Sequence, residues 1–558
     1  MRTYLLEKKN NILYHNPDSK LLARPMDKAT EMGKTSATGS FHLFIGKTVS
    51  TVILALGTIV LGWFILRSDY GLYAISLIPA STFFLFQDWG VNEALTKYCA
   101  SYRAANKEAD LRKIIIVGLG FEVATGLALT LVSLLLAHFM ASTVFNKPGA
   151  ALLIAIGSLS VFLSSLVKTA QNVFVGFERM HLYSYTLIFQ AVPACVLTPL
   201  LVILGYGALG AVVGYTLSTA ISGIAGIGLL YFSILRKLPD NSKTLNNNVQ
   251  TLKMHLTYGF PLGIANILGG LLPQAFSIIM ASLVTVAVIG DYKIATNFAI
   301  LLTFLTLPIS TVLFPVFSKV DPKNEPQLLK SVFASSVKYA SILLVPATMA
   351  LIVLSQPIIY TIYGGKYPSA PFLLALTAAG TLLVIFGTQS VANLFSGVGE
   401  TKLMSKMQIL QIIIGIPTGL LSALWFGLPG IIVAGIFAGV PSMFIGLYMA
   451  WKRFGTRIDL KASAKILLAS LLAAGLTYLF LSVFFEANWM RLLIGLFIYL
   501  AAYLVAIPLL RAVNQMDVYN LQTITSEMGV ASRVFNIPLK IIERILKIRS
   551  KNSEKKVI

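Results

Sequence analysis

Charge is what this sequence has least of. Only 12% of its 558 residues are Asp, Glu, Lys or Arg, against about 25% in an ordinary soluble domain. Hydrophobic residues make up 56%, so there is too little polar surface to clothe a soluble core of this size, and a large soluble helical protein is excluded. Cysteine is nearly absent. Cys99 and Cys195 lie far apart, near or within apolar segments, which leaves neither a disulfide framework nor a cysteine-based metal site. No Gly-rich phosphate loop, paired metal-ligand motif or nucleotide-binding domain is found, so no cofactor is expected and ATP hydrolysis by this chain is not the driving force. No apolar run begins early enough for a cleaved signal peptide. Acid is scarce relative to base, 22 residues against 44, for a net charge of +22.

What the chain has in abundance is apolar runs of membrane-spanning length, each about 20 residues. They fall at 40–66, 70–89, 113–140, 148–170, 182–204 and 209–235, then at 258–284, 293–317, 339–360, 371–394, 403–426 and 430–451, and finally at 464–484 and 489–510. The expected fold is an all-α integral membrane protein with 14 transmembrane helices. An even number places both termini on one side. The connections on that side carry 38 Lys and Arg, whereas the opposite side carries five: Arg67, Lys147, Lys293, Lys366 and Arg491. Basic residues mark the cytoplasmic side, so both termini are expected there, in a multi-pass protein of the cell membrane. Anionic lipid headgroups account for the basic loops, and no nucleic acid need be invoked. The opposite loops are too short for an external domain.

Internal echoes divide the chain. Gln171–Met180 contains Phe-x-Gly followed by Glu and a base, and Phe395–Lys402 repeats the frame with two extra residues. Gly71-Leu-Tyr73 is echoed by Gly290-Asp-Tyr292, and Gly207–Gly210 by Gly427–Gly430, with offsets of 219 and 220 residues. Two homologous six-helix lobes are expected, related by a pseudo-two-fold axis along the membrane normal, with two C-terminal helices added. The corresponding division is a basic cytoplasmic tail at 1–38, lobes at 39–236 and 257–452 with a cytoplasmic linker at 237–256, two helices at 453–512, and a basic tail at 513–558. The section 530–546 reads as an amphipathic helix on the membrane or as a loose tail.

Polar groups inside spans need partners or a wet cavity. Lys47 and Glu122 lie well within spans, and each is read either as lining a cavity or as pairing helices, with mutual satisfaction open to them. Asp88, Glu93 and Lys338 read as interfacial. Asn266, Gln274 and Asn297 are sharper candidates, because their amides need a polar cleft. Basic groups facing such a cleft match an anionic substrate, most obviously a phosphate or pyrophosphate head group. Arg67 and Lys293 are placed to receive it, or to serve as ordinary interface anchors.

Several pieces together resemble the polysaccharide-transporter branch of the multidrug/oligosaccharidyl-lipid/polysaccharide flippase superfamily. They are Gly46-Lys-Thr-Val-Ser-Thr-Val52, Arg67-Ser-Asp-Tyr-Gly-Leu-Tyr-Ala74, Gly90-Val-Asn-Glu-Ala-Leu-Thr-Lys97, Val173–Met180, Gly290–Ala295 and Leu313–Ser318, with the Phe395–Lys402 turn and the Gly207–Gly210 hairpin. The resemblance covers about 40–510. It implies a non-enzymatic flippase of polyprenyl-(pyro)phosphate-linked oligosaccharide, with two lobes around a cationic cavity and alternating access. Membrane lipids, and glycosyltransferases or a polymerase of the same pathway, are the implied partners. Read by position, the substrate cleft comprises Lys47, Arg67, Asn266, Gln274, Lys293 and Asn297, and Glu122 is the candidate for ion coupling. The alternatives are an ion-coupled organic-cation antiporter of the same superfamily and a peptidoglycan-precursor flippase.

Overall fold

The computed structural model describes residues 43–239, 247–484, 487–526 and 531–554. The expected tail at 1–38 lies outside them, as do parts of the linker and of the C-terminal tail. Every regular element among the described residues is helical. The apolar runs leave no other choice in lipid, where a helix satisfies its own backbone groups.

The first stretch is α1 (Leu43–Phe64). The second expected span is broken into α2 (Arg67–Ser76) and α3 (Ile78–Leu85). Pro79 explains the break: it lacks an N–H and is tolerated in a first helical turn, not in the middle of a continuous helix. Next come α4 (Val91–Ala104), α5 (Glu108–Phe139), α6 (Ala151–Gly176), α7 (Met180–Leu201) and α8 (Gly207–Ser233). The later helices are α9 (Asn248–Leu283), α10 (Val286–Lys319), α11 (Pro326–Val353), α12 (Ser355–Tyr363), α13 (Ala370–Ala379) and α14 (Thr388–Gly397). They are followed by α15 (Thr401–Phe454), α16 (Leu460–Phe484), α17 (Asn488–Leu509), α18 (Gln515–Ser526) and α19 (Ala531–Glu554).

Ten helical runs among the described residues are long and apolar enough to cross a membrane, or eleven if a bent pair is counted as one span. That pair runs from Ala370 to Gly397 and bends by 58°. Two of the ten runs, Met180–Lys237 and Thr401–Phe454, are longer than any single crossing needs. Each contains a glycine in a non-helical conformation, Gly205 at φ 93° and Gly427 at φ 61°. The positive φ, which only glycine adopts cheaply, folds α7 back on α8, and the two pack together.

The chain forms two compact units that interleave along the sequence. Of the described residues, one contains those within 43–60, 79–137 and 154–266, and the other those within 61–78, 138–153 and 267–554. In the first, a core of Leu95, Ile114, Ile115, Val173, Phe174 and Leu230 joins α4, α5, α6 and α8. In the second, one core gathers Phe317, Phe333, Leu394 and Phe395. Another gathers Leu344, Ile466, Tyr499 and Ile507, and α18 and α19 close over it through Val518, Leu539 and Ile542. Large apolar side chains such as Leu135, Trp425 and Phe497 stay exposed, as expected for surfaces solvated by lipid rather than water.

Candidate functional site

Two polar clusters stand out, one in each unit. In the second unit, α2 and α10 cross so closely that a Cβ on Gly71 would lie 1.9 Å from the Val286 carbonyl oxygen. One on Gly290 would lie 2.2 Å from the Arg67 carbonyl oxygen. This crossing delivers Arg67, the first residue of α2, to Asp291 of α10. Arg67 Nε donates to Asp291 Oδ1 at 2.6 Å and Nη2 donates to Oδ2 at 2.7 Å. The carboxylate is fully buried, and it also accepts the Ser369 backbone N–H at 2.9 Å. Beside it, Asn297 Nδ2 donates to the buried Tyr70 hydroxyl at 2.8 Å. Tyr70 stacks on Tyr73 and meets Tyr367 edge-on, and the Tyr367 hydroxyl donates to the Gly62 carbonyl at 2.9 Å. Lys366 donates to the carbonyls of Gly62 and Trp63, and burial pushes its ammonium pKa down.

Arg67 and Asn297 are therefore brought together, but both are engaged by protein partners. Asp291 was not singled out by sequence reasoning, although it sits in the echoed Gly290-Asp-Tyr292 motif. Lys293 is half-buried and lies one helical turn before Asn297, on the same face. Among the described residues no partner of its ammonium is identified. Gln274 is half-buried and engaged.

In the first unit the cluster forms where the chain breaks between α3 and α4. Asp88 Oδ1 accepts the backbone N–H of Gly90 at 2.9 Å and of Asn92 at 3.4 Å, capping α4. Its other oxygen pairs with Lys168 Nζ of α6 at 2.6 Å. Asp88, expected from its sequence position to be interfacial, is thus buried within the protein in an ion pair. Glu122 of α5 is fully buried and accepts from Gln87 Nε2. That amide, not Lys47, is its partner. Asn266 of α9 is exposed and donates to Glu93 Oε1 at 3.0 Å. Lys47 is exposed on α1, and its carbonyl accepts the Ser50 and Thr51 hydroxyls. A shallow, open apolar groove of about 590 Å³ lies next to this cluster, lined by Trp89, Phe121, Thr125, Leu256, Thr257 and Phe260.

Comparison with known proteins gives a consistent direction. The model of a family described as polysaccharide biosynthesis protein matches residues 60–371, and that of the lipid II flippase MurJ matches 274–500. The chain is 20% identical over 237 residues to a Haloferax volcanii protein described as probable low-salt glycan biosynthesis flippase Agl15, over 42% of this chain and 49% of that protein. The match thus spans about half the length of that relative. A second relative is the Escherichia coli K12 lipopolysaccharide biosynthesis protein WzxC, 22% identical over 411 residues, covering 72% of this chain and 76% of WzxC. The structure superposes on that of a lipid II flippase MurJ in an inward closed conformation with a TM-score of 0.66 and 17% identity, covering 83% of this chain and 97% of the other. At that identity the likeness is one of fold.

Proposed function

This chain belongs to the polysaccharide biosynthesis protein family, and from that premise we propose that it is a flippase. Its substrate would be a polyprenyl-(pyro)phosphate-linked oligosaccharide, moved across the cytoplasmic membrane for cell-surface polysaccharide or glycoconjugate synthesis. The observation that carries the reading is that the family match over 60–371 takes in both polar clusters. Alternating access moves the sugar and phosphate while the lipid tail stays in the bilayer. It is transport rather than catalysis, and glycosyltransferases or a polymerase of the same pathway supply and consume the substrate.

On this reading the chain crosses the membrane fourteen times, in two six-helix lobes and two further helices. The reversals at Gly205 and Gly427 support that number by dividing each long helical run in two. The lobes describe how the chain threads the bilayer, whereas the compact units describe which segments bury one another. Both termini are cytoplasmic, as the concentration of Lys and Arg supports. Lys293 is the phosphate contact, because among the described residues no carboxylate pairs with its charge. Arg67 and Asn297 shape its surroundings, and Lys47, Asn266 and Gln274 are contacts along the substrate's route.

A second reading, a peptidoglycan-precursor flippase, is favoured by the MurJ match over 274–500. The experiment that separates them is flipping in reconstituted liposomes, with fluorescent polyprenyl-pyrophosphate oligosaccharide in one arm and lipid II in the other. Protein-dependent movement of the first alone supports the proposal, and movement of lipid II alone supports the second reading. No movement of either, together with gradient-driven efflux of an organic cation, would overturn both.

A further inference from the structure

Around Glu122 the first unit holds more oxygen acceptors than donors. Two of the donors nearby are already committed. Lys168 is paired with Asp88 at 2.6 Å, and Gln87 Nε2 donates to Glu122 Oε2. What remains is three fully buried oxygens without a hydrogen-bond partner, Glu122 Oε1, Gln87 Oε1 and Asn92 Oδ1, against a single unpaired donor, Asn92 Nδ2. The Asn92 side chain is itself completely buried and lies against the Glu122 carboxyl group, close enough for its Nδ2 to interact with that carboxylate, yet neither of its polar atoms makes a well-formed hydrogen bond. Glu93 Oε2, at the rim, is a fourth unpartnered oxygen. Buried polar groups are normally satisfied, so such a concentration needs a cause.

We infer that Glu122, Gln87 and Asn92 form a binding site for a hard monovalent cation, with sodium the fitting ion and Glu93 at its mouth. The chemistry selects the class. Every available ligand atom is a carboxylate or amide oxygen, the donor set of hard cations rather than of zinc or copper. One fully buried carboxylate balances a single positive charge, and the two amides add oxygen ligands without adding charge. A proton would satisfy one oxygen, whereas an ion bound between them satisfies several at once.

The ligands come from different elements. Gln87 and Asn92 flank the break between α3 and α4, whereas Glu122 is on α5, so an ion held by all three ties that break to α5. The site rests on these unpartnered buried oxygens alone. Its use as the coupling ion of transport rests on the flippase reading above.

The test is direct binding to the full-length protein in detergent. Thermal unfolding and titration calorimetry would be run with NaCl against choline chloride at constant ionic strength and at two pH values. Sodium should raise the melting temperature of the parent protein in a saturable way. Glu122→Gln and Asn92→Leu should each weaken the apparent affinity at least tenfold. Asn92→Leu keeps the carboxylate, so the test survives if Glu122→Gln does not fold. A response equal in sodium and choline, or a sodium response untouched by Asn92→Leu, would overturn the site. So would stabilisation that follows pH and ignores sodium. Sodium binding without movement of any lipid-linked sugar supports the site while rejecting the flippase reading. Sugar movement by a protein that binds no sodium rejects the site and leaves that reading intact.

Discussion

The Arg67 guanidinium and the Asp291 carboxylate, 224 positions apart, meet as a two-pronged ion pair at 2.6 and 2.7 Å. Its two ends are unequally placed. The arginine side chain is 31% exposed, whereas the aspartate is 0% exposed. Loss of the arginine therefore leaves a buried carboxylate with one remaining donor among the described residues, the Ser369 N–H. Arg67→Ala is expected to destabilise the protein by about 3–5 kcal/mol, the usual consequence of orphaning a buried charge. Asp291→Asn should do less, because the guanidinium can turn to water. The Arg67→Ala/Asp291→Ala double change should fall short of the sum of the single changes by about 1–3 kcal/mol. Unfolding midpoints in detergent measure all of these, and strictly additive losses would count against the pair.

The crossing that makes this pair possible gives a sharper steric expectation. A methyl group on Gly71 or Gly290 would press on backbone oxygens of the opposite helix, at 1.9 and 2.2 Å. Backbone cannot swing aside as a side chain can. Gly71→Ala and Gly290→Ala should each cost roughly 1–3 kcal/mol or more through forced separation of the helices. Gly120→Ala is the control: its Cβ would meet nothing within 4 Å, so the helix should gain about 0.5–1 kcal/mol. Folded yield on size exclusion and the melting temperature report the difference.

These two residues also show what the sequence made legible. Gly71 and Gly290 stood out as an internal echo, and they turn out to occupy one helix crossing. The echoed turns are equally physical. Phe174 and Phe395 are both fully buried, and Glu178 and Glu400 each face an arginine, Arg103 and Arg453. Apolar length and glycine placement are local signals, so the helical class and the chain reversals were readable. Pairings over long separations were not. The echo of Gly71–Tyr73 in Gly290–Tyr292 lies close to Arg67 and takes in Asp291 without showing that they pair, and nothing near Lys168 pointed to Asp88. Gln87 and Asn92 were missed for another reason. They are neutral amides on either side of a helix break, and the apolar run read over 70–89 takes in Gln87 as span and stops short of Asn92.

The C-terminal segment offers a test of a different kind. Lys338 of α11 pairs with Asp517 of α18 at 2.5 Å. Asn520 adds a hydrogen bond to the Tyr339 hydroxyl at 3.0 Å. The pair is mostly shielded, at 18% and 10% exposure, so it falls between a surface and a buried salt bridge. Asp517→Ala should cost about 2 kcal/mol. It should also loosen α18 and α19 from the core they cover, seen as faster proteolysis C-terminal to Leu510. Unchanged proteolysis would show that Val518, Leu539 and Ile542 hold the segment without the ion pair.

Lys293 separates a substrate contact from a structural cation. Arg67 has a carboxylate whose satisfaction depends on it, whereas removing the Lys293 ammonium orphans no identified partner among the described residues. Lys293→Ala should therefore change stability by less than about 1 kcal/mol. A phosphate crossing the membrane depends on opposite charge far more, since desolvating an anion without a counter-charge is expensive. Flipping of the pyrophosphate-linked sugar by Lys293→Ala should fall tenfold or more, and Lys293→Arg, which keeps the charge, should restore most of it. The same pair of variants assayed with a sugar-free polyprenyl pyrophosphate should show the same loss, because the contact is to phosphate and not to sugar. A lowered melting temperature with unimpaired flipping would instead make Lys293 part of the scaffold.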